Sequence, residues 1–208
     1  MPSEAPARRI VAYGTSLTAR WTWRLWRRTG GHWVRPLRAG LRAQTDPRLG
    51  VENAARWGSD STWGLRCLER RVLGRRPHLL LLEFAINDAD RRRGISIGRS
   101  RSQLSRMLDE VASACPACQV VLLTMSPALG RHAVARPELD AYYELYREAA
   151  RERGLHLVDL NARWCALPED GLHRALPDGI HPTPEACRTI VVPELISTLS
   201  PLLTRAPA

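Results

Sequence analysis

The run Leu79-Leu80-Leu81-Leu82-Glu83-Phe84-Ala85-Ile86 is the longest apolar stretch in the chain, broken once, by Glu83. It lacks the alternation of a half-solvated strand, so Leu79 to Phe84 reads as a strand buried on both faces. Such strands belong to parallel sheets covered by helices. The run is also far too short to span a bilayer. Shorter runs over Arg9 to Tyr13, Val51 to Ala55, Val120 to Thr124 and Leu155 to Leu160 read as further strands. Between them, apolar residues recur at helical spacing over Trp21 to Arg42, Thr62 to Leu73, Ser96 to Ala114, Glu138 to Arg153 and Pro184 to Leu199. The first is interrupted by Gly30-Gly31 and Pro36, and Gly154 ends the fourth. This alternation predicts one α/β domain over residues 1–208 with a five-stranded parallel sheet, residues 1–8 and 201–208 being flexible tails.

The 208 residues suit one domain with a sizeable core. All 31 basic residues are arginine, and the formal net charge is +10. Absence of lysine excludes a P-loop lysine, a Schiff-base lysine and a Ser-Lys dyad. The arginines are spread along the chain, densest at Arg24, Arg27 and Arg28, and at Arg91 to Arg93 with Arg99 and Arg101. The spread argues for compositional bias over a nucleic-acid surface. The five cysteines form no zinc pattern. Cys115-Pro116-Ala117-Cys118 follows a helix and precedes a strand, the reverse of a redox site. The odd cysteine count and the polar Met1 to Arg9 segment lead to the expectation of a cytoplasmic protein.

In parallel sheets, sites gather at the carboxyl ends of the strands. After the first strand comes Gly14-Thr15-Ser16-Leu17-Thr18; after the second, Trp57-Gly58-Ser59; after the third, Ala85-Ile86-Asn87-Asp88. Before the last helix lies Asp178-Gly179-Ile180-His181-Pro182. A serine hydroxyl needs a base to become a nucleophile, and histidine titrates near neutrality. His181 is thus the candidate base for Ser16. Asp178, three residues earlier, can reach Nδ1 and leave Nε2 to face Ser16. Oxyanion donors are expected from the Ser16 and Gly58 N–H groups and the Asn87 amide. Each fragment alone is common: Asn87-Asp88 alone would be a turn or cap, and His181 a loop histidine. Their order along the strand ends gives them weight.

This order resembles the SGNH hydrolases, or GDSL esterase/lipase family, over essentially the whole chain. Gly14 to Thr18 looks like the family's first block, Gly58 matches the glycine of the second, Ala85 to Asp88 the third and Asp178 to His181 the fifth. The resemblance implies a flavodoxin-like three-layer α/β/α fold and a cofactor-free serine hydrolase. It implies Ser16, Asp178 and His181 as catalytic residues, with Ser16, Gly58 and Asn87 as oxyanion donors. Two positions depart from the pattern. Thr15 stands where aspartate is usual, removing a charge beside the nucleophile. Ala85 stands where glycine is usual, adding a methyl expected to narrow the acyl pocket.

The expected partner is a small-molecule or glycan acyl ester, with no metal, no nucleic acid and no membrane span. A short acyl chain, such as an O-acetyl group on carbohydrate, is the first expectation. Lysophospholipase, thioesterase and acyltransferase activities share the same site, and a non-catalytic carbohydrate- or nucleic-acid-binding module is the reading from another class. Trp57, Ala85 and Asp88 are candidate substrate contacts. Trp21, Trp23, Trp26 and Trp33 read either as packing of an amphipathic helix or as a rim for a sugar or acyl chain.

Overall fold

A computed structural model describes residues 8–19 and 33–204. Its sheet is made of β1 (Arg9–Gly14), β2 (Gly50–Asn53), β3 (Leu79–Glu83), β4 (Gln119–Thr124) and β5 (His156–Asp159), all parallel, in the order β2-β1-β3-β4-β5. That is the flavodoxin-like order, whose direction of winding reverses beside β1. β3 is central and buried at every position, as its apolar run demands.

The helices are α1 (Val34–Gln44), α2 (Ser61–Arg71), α3 (Ala85–Asp88), α4 (Ile97–Ala114), α5 (Arg131–Ala135), α6 (Leu139–Arg153), α7 (Leu160–Cys165), α8 (Glu169–Ala175), α9 (Pro184–Ala186) and α10 (Val192–Thr204). α1 packs with α10 on one side of the sheet; α2, α4 and α6 pack together on the other. Helix starts follow capping chemistry. Asp60, Ser96 and Thr183 each accept a backbone N–H three residues on, from Trp63, Arg99 and Ala186. Gly154 closes α6 at φ 63°.

Several expectations need correction. The helix expected over Trp21 to Arg42 is described only from Val34, and residues 20–32 with Trp21, Trp23 and Trp26 lie outside the described part. Trp33 is fully buried packing, not a rim. Asn87 and Asp88 belong to a one-turn helix. Residues 201–204 are not a tail: they complete α10, and Leu202 and Leu203 are buried. Arg8 joins the fold too, its carbonyl accepting the Gly50 N–H at 2.9 Å. A π turn, Cys187–Val191, joins α9 to α10, making a 21-residue helical stretch, Pro184–Thr204, long and apolar enough by composition to cross a membrane. Reading only unbroken apolar runs overlooked it. Here its apolar side is spent on the core, with Val191, Leu195 and Leu199 at most 1% exposed.

Candidate active site

Four segments meet at the carboxyl edge of the sheet. β1 ends at Gly14, and the chain turns at once: Thr15 O accepts from the Thr18 and Ala19 N–H groups at 3.2 and 2.9 Å. Ser16 sits on this turn. Its far side is held by the Trp33 indole N–H, donating to Leu17 O at 2.9 Å, and the Asn53 amide, donating to Thr18 O at 2.6 Å.

The Asp178 to His181 loop is fixed by its own backbone. Asp178 Oδ1 accepts from the Ile180 and His181 N–H groups at 3.0 and 2.8 Å, which leaves Oδ2 for the His181 ring at 2.7 Å from Nδ1. Gly179 has φ +90°, and a Cβ there would stand 2.8 Å from Leu129 O, so only glycine suits the turn. Ser126 Oγ donates to Ile180 O at 2.7 Å, and the Leu129 N–H to Gly179 O at 2.8 Å, pinning the loop to the segment after β4. Burial opposes ionisation of Asp178, but the His181 ring and the backbone N–H groups outweigh it and hold its carboxyl down to about 2. His181 Nε2 lies 2.9 Å from Ser16 Oγ. Proton transfer from that hydroxyl to the imidazole is therefore geometrically direct.

Ser59 ties the remaining pieces together. Its carbonyl accepts from Asn87 Nδ2 at 2.7 Å, and its hydroxyl donates to Gly14 O at 2.9 Å. Asn87, Gly58 and the Ser16 turn are thus held in one bonded network, and one amide hydrogen of Asn87 remains for another acceptor. Gly58 has φ +69° and open space where a Cβ would be. Among the described residues, neither the Ser16 nor the Gly58 N–H donates a hydrogen bond. Such donors beside a nucleophile suit developing negative charge.

The candidate substrate contacts divide. Trp57 is 62% exposed beside Gly58. Ala85 is 1% exposed and packed in the core, so its methyl lines no open cleft. Asp88 is equally buried and faces inward, accepting from the Ser61 N–H at 2.8 Å and the Ser100 hydroxyl at 2.6 Å. It joins α2 to α4 rather than meeting substrate. Burial raises its carboxyl to about 6 against those bonds.

Sequence reasoning passed over three residues. Ser59 is one; its neighbours drew attention and it did not. Arg136, buried after α5, donates through Nε to Ile86 O at 2.7 Å and pairs with Asp90 at 3.1 Å. Glu83 is the third, the one break in the longest apolar run, and its carboxyl bonds Thr15 and Thr18. A carboxyl group does stand beside the nucleophile turn, supplied by β3 where Thr15 cannot. Three arginines of the cluster after α3 are paired within the fold: Arg92 with Asp90, Arg93 with Asp60, and Arg101 with Glu148. The five cysteines are free thiols, and burial pushes Cys118 up to about 12. Among the described residues no cluster of His, Cys, Asp and Glu could hold a metal ion.

Comparison with solved structures finds the same architecture repeatedly. A lipase/acylhydrolase from Enterococcus faecalis superposes with TM-score 0.81 at 23% identity, covering 97% of this chain and 100% of that one. An acetylxylan esterase from Geobacillus stearothermophilus gives 0.73 at 17% identity, covering 91% and 93%. A GDSL-like lipase from Parabacteroides merdae gives 0.77 at 17%, covering 94% and 96%. Among curated proteins no significant match is found. The family model for the GDSL-like Lipase/Acylhydrolase family matches residues 12–188, a span holding every segment of the site. The chain belongs to the GDSL-like lipase/acylhydrolase family, a family of hydrolases that act on ester bonds.

Proposed function

We propose that this protein is a serine esterase that hydrolyses short-chain acyl esters, O-acetyl groups on carbohydrate among them, through an acyl-serine intermediate. Ser16 Oγ attacks the ester carbonyl carbon while its proton passes to His181 Nε2. Asp178 holds the ring so that Nε2 is the acceptor and steadies the imidazolium that forms. The Ser16 and Gly58 N–H groups and the second Asn87 amide hydrogen receive the oxyanion. Collapse breaks the ester C–O bond, and the leaving alkoxide takes the proton from His181. Water then attacks the acyl group with His181 as base again, freeing the acid and restoring Ser16.

The observation that carries this reading is the unbroken line from Ser16 Oγ to His181 Nε2 at 2.9 Å and from Nδ1 to Asp178 Oδ2 at 2.7 Å. The short-chain sugar ester is favoured by the likeness to an acetylxylan esterase, and an aromatic side chain, Trp57, stands 62% exposed next to Gly58. Turnover of p-nitrophenyl acetate and longer-chain esters by wild type and Ser16→Ala tests it. Wild type is expected to prefer acetate, and the variant to lose nearly all activity. Equal rates in the two proteins would remove Ser16 as nucleophile; a preference for long chains would remove the short-chain assignment.

A further inference from the structure

Glu83 ends β3 in register with Gly14 at the end of β1. It is 1% exposed, and its carboxyl enters the turn that carries Ser16. The two carboxyl oxygens have unlike surroundings. Oε1 accepts from the Thr15 N–H at 2.6 Å and the Thr18 hydroxyl at 2.8 Å, as a carbonyl oxygen would. Oε2 has a single partner, Thr15 Oγ1 at 3.0 Å, an oxygen that can itself accept a proton. That hydroxyl also lies 3.0 Å from Oε1 and receives the Leu17 N–H at 3.3 Å. Among the described residues, the titratable groups that face Glu83 are Asp88 on α3 and Tyr143 and Tyr146 on α6, none of them a cation. A carboxylate buried without a counter-ion is costly, whereas a neutral acid satisfies each of these contacts.

We propose that Glu83, held as the neutral acid with its proton on Oε2 toward Thr15 Oγ1, is the positioning residue that sets the geometry of the Ser16 turn. The inference rests on the reading of Ser16 as nucleophile. Glu83 grips the residue before Ser16 and the residue two after it, so the serine hangs between two fixed points. Gly14 is shaped for this approach: a Cβ there would stand 2.2 Å from Glu83 Oε1. Burial raises the Glu83 carboxyl to about 8, against the bonds from Thr15 and Thr18. Above that pH the group gains a charge beside the nucleophile turn, loses its Oε2 proton, and opposes the oxyanion. Activity should therefore carry an alkaline limb that Glu83 causes.

The experiment measures kcat and KM for a short-chain ester between about pH 6 and pH 10, spanning the acid's own titration, in wild type, Ser16→Ala, Glu83→Ala and Glu83→Gln. Glu83→Ala is expected to lower kcat by about ten- to a hundredfold with KM little changed, the scale of a small misplacement of a reacting group. Glu83→Gln keeps the shape of the neutral acid, with an amide N–H where the proton was. It is expected to rescue kcat to within about threefold of wild type at pH 7 and to lack the alkaline limb. A Glu83→Gln protein as impaired as Glu83→Ala would overturn the proposal, and so would a limb that persists unchanged in Glu83→Gln. If Glu83→Ala does not fold, the Glu83→Gln pH profile decides alone. Loss of activity in Ser16→Ala together with either contrary result would sink only the Glu83 inference. Full activity in Ser16→Ala would instead sink the nucleophile reading beneath it.

Discussion

Asp178 divides its two oxygens between backbone and ring, and the division has a measurable consequence. Oδ1 is taken by the N–H groups of Ile180 and His181, so the loop keeps its shape as long as one acceptor oxygen remains. Asp178→Asn keeps that oxygen but removes the charge and presents a donor or a weaker acceptor to Nδ1. The expected result is a near-wild-type fold with kcat lower by about a thousand- to ten-thousandfold, the scale seen when a triad carboxylate becomes an amide. Circular dichroism together with steady-state kinetics checks it, and a loss of less than about tenfold would show that Asp178 does not orient the imidazole. Ser16, Asn87, Asp178 and His181 were legible in the sequence because each is a polar residue where a predicted strand or loop ends, and strand ends in a parallel sheet share one edge. Glu83 and Ser59 were not. Their partners are brought close by β1–β3 register and by chain crossing, which no local pattern encodes. Glu83 did leave one signal: a lone carboxylate inside an apolar run must find hydrogen bonds or stay protonated.

At the scale of elements, the site depends on a helix of one turn. α3 begins where β3 stops, and its Asn87 and Asp88 N–H groups both return to Phe84 O at 3.1 Å. So short a helix has little cohesion of its own, and its placement is borrowed from neighbours. Asp88 ties it to α2 and α4, while Arg136 ties it to the segment after α5 through Ile86 O. The Arg136 guanidinium is buried at 5% exposure against Asp90 at 4%. Arg92 holds the Asp90 carboxyl down to about 2 by direct hydrogen bonding, with Arg136 adding to it through its charge. Removing one partner of a buried pair costs about 3–5 kcal/mol. Because Asp90 keeps Arg92, Arg136→Met is expected at or just below the low end of that range in a urea titration. It should lower kcat more than it raises KM, since Ile86 O is released one residue from Asn87. Wild-type stability in Arg136→Met would remove this tether from the account. α3, α5, α7 and α8 were all unread in the sequence, because each spans fewer than two turns, too few for a periodic apolar pattern to show. α2, α4, α6 and all five strands were legible within a few residues, their buried faces being continuous, whereas α1 is described only from Val34 and α10 runs five residues past the expected end.

Among the described residues, two buried carboxyl groups hold their protons more tightly in the folded chain than in the unfolded one. Burial raises Glu83 from 4.5 to about 8 and Asp88 from 3.8 to about 6. The folded state therefore binds more protons than the unfolded state across that window, and stability must fall as pH rises through it. The contribution of Glu83 is complete below about pH 4.5 and gone above about 8; that of Asp88 is complete below about 3.8 and gone above about 6. Each tenfold separation in proton affinity is worth about 1.4 kcal/mol, so the combined loss is on the order of several kcal/mol. Asp178 and Asp90 act in the opposite sense. Both are held down to about 2, and they lose their contribution only as the pH falls below the ordinary carboxylate range. Stability should thus peak near pH 4 to 5. Urea midpoints taken between about pH 4 and pH 9 are expected to decline toward the alkaline end. Glu83→Gln should flatten the part of that decline lying above about pH 6, where Asp88 has already titrated. His132, lowered by burial and by Arg136, adds stability as the pH rises toward neutrality, so the comparison with Glu83→Gln decides: a decline identical in that variant would mean that Glu83 is ionised in the folded protein. The fold would then bear at neutral pH a buried charge held by hydrogen bonds from Thr15 and Thr18.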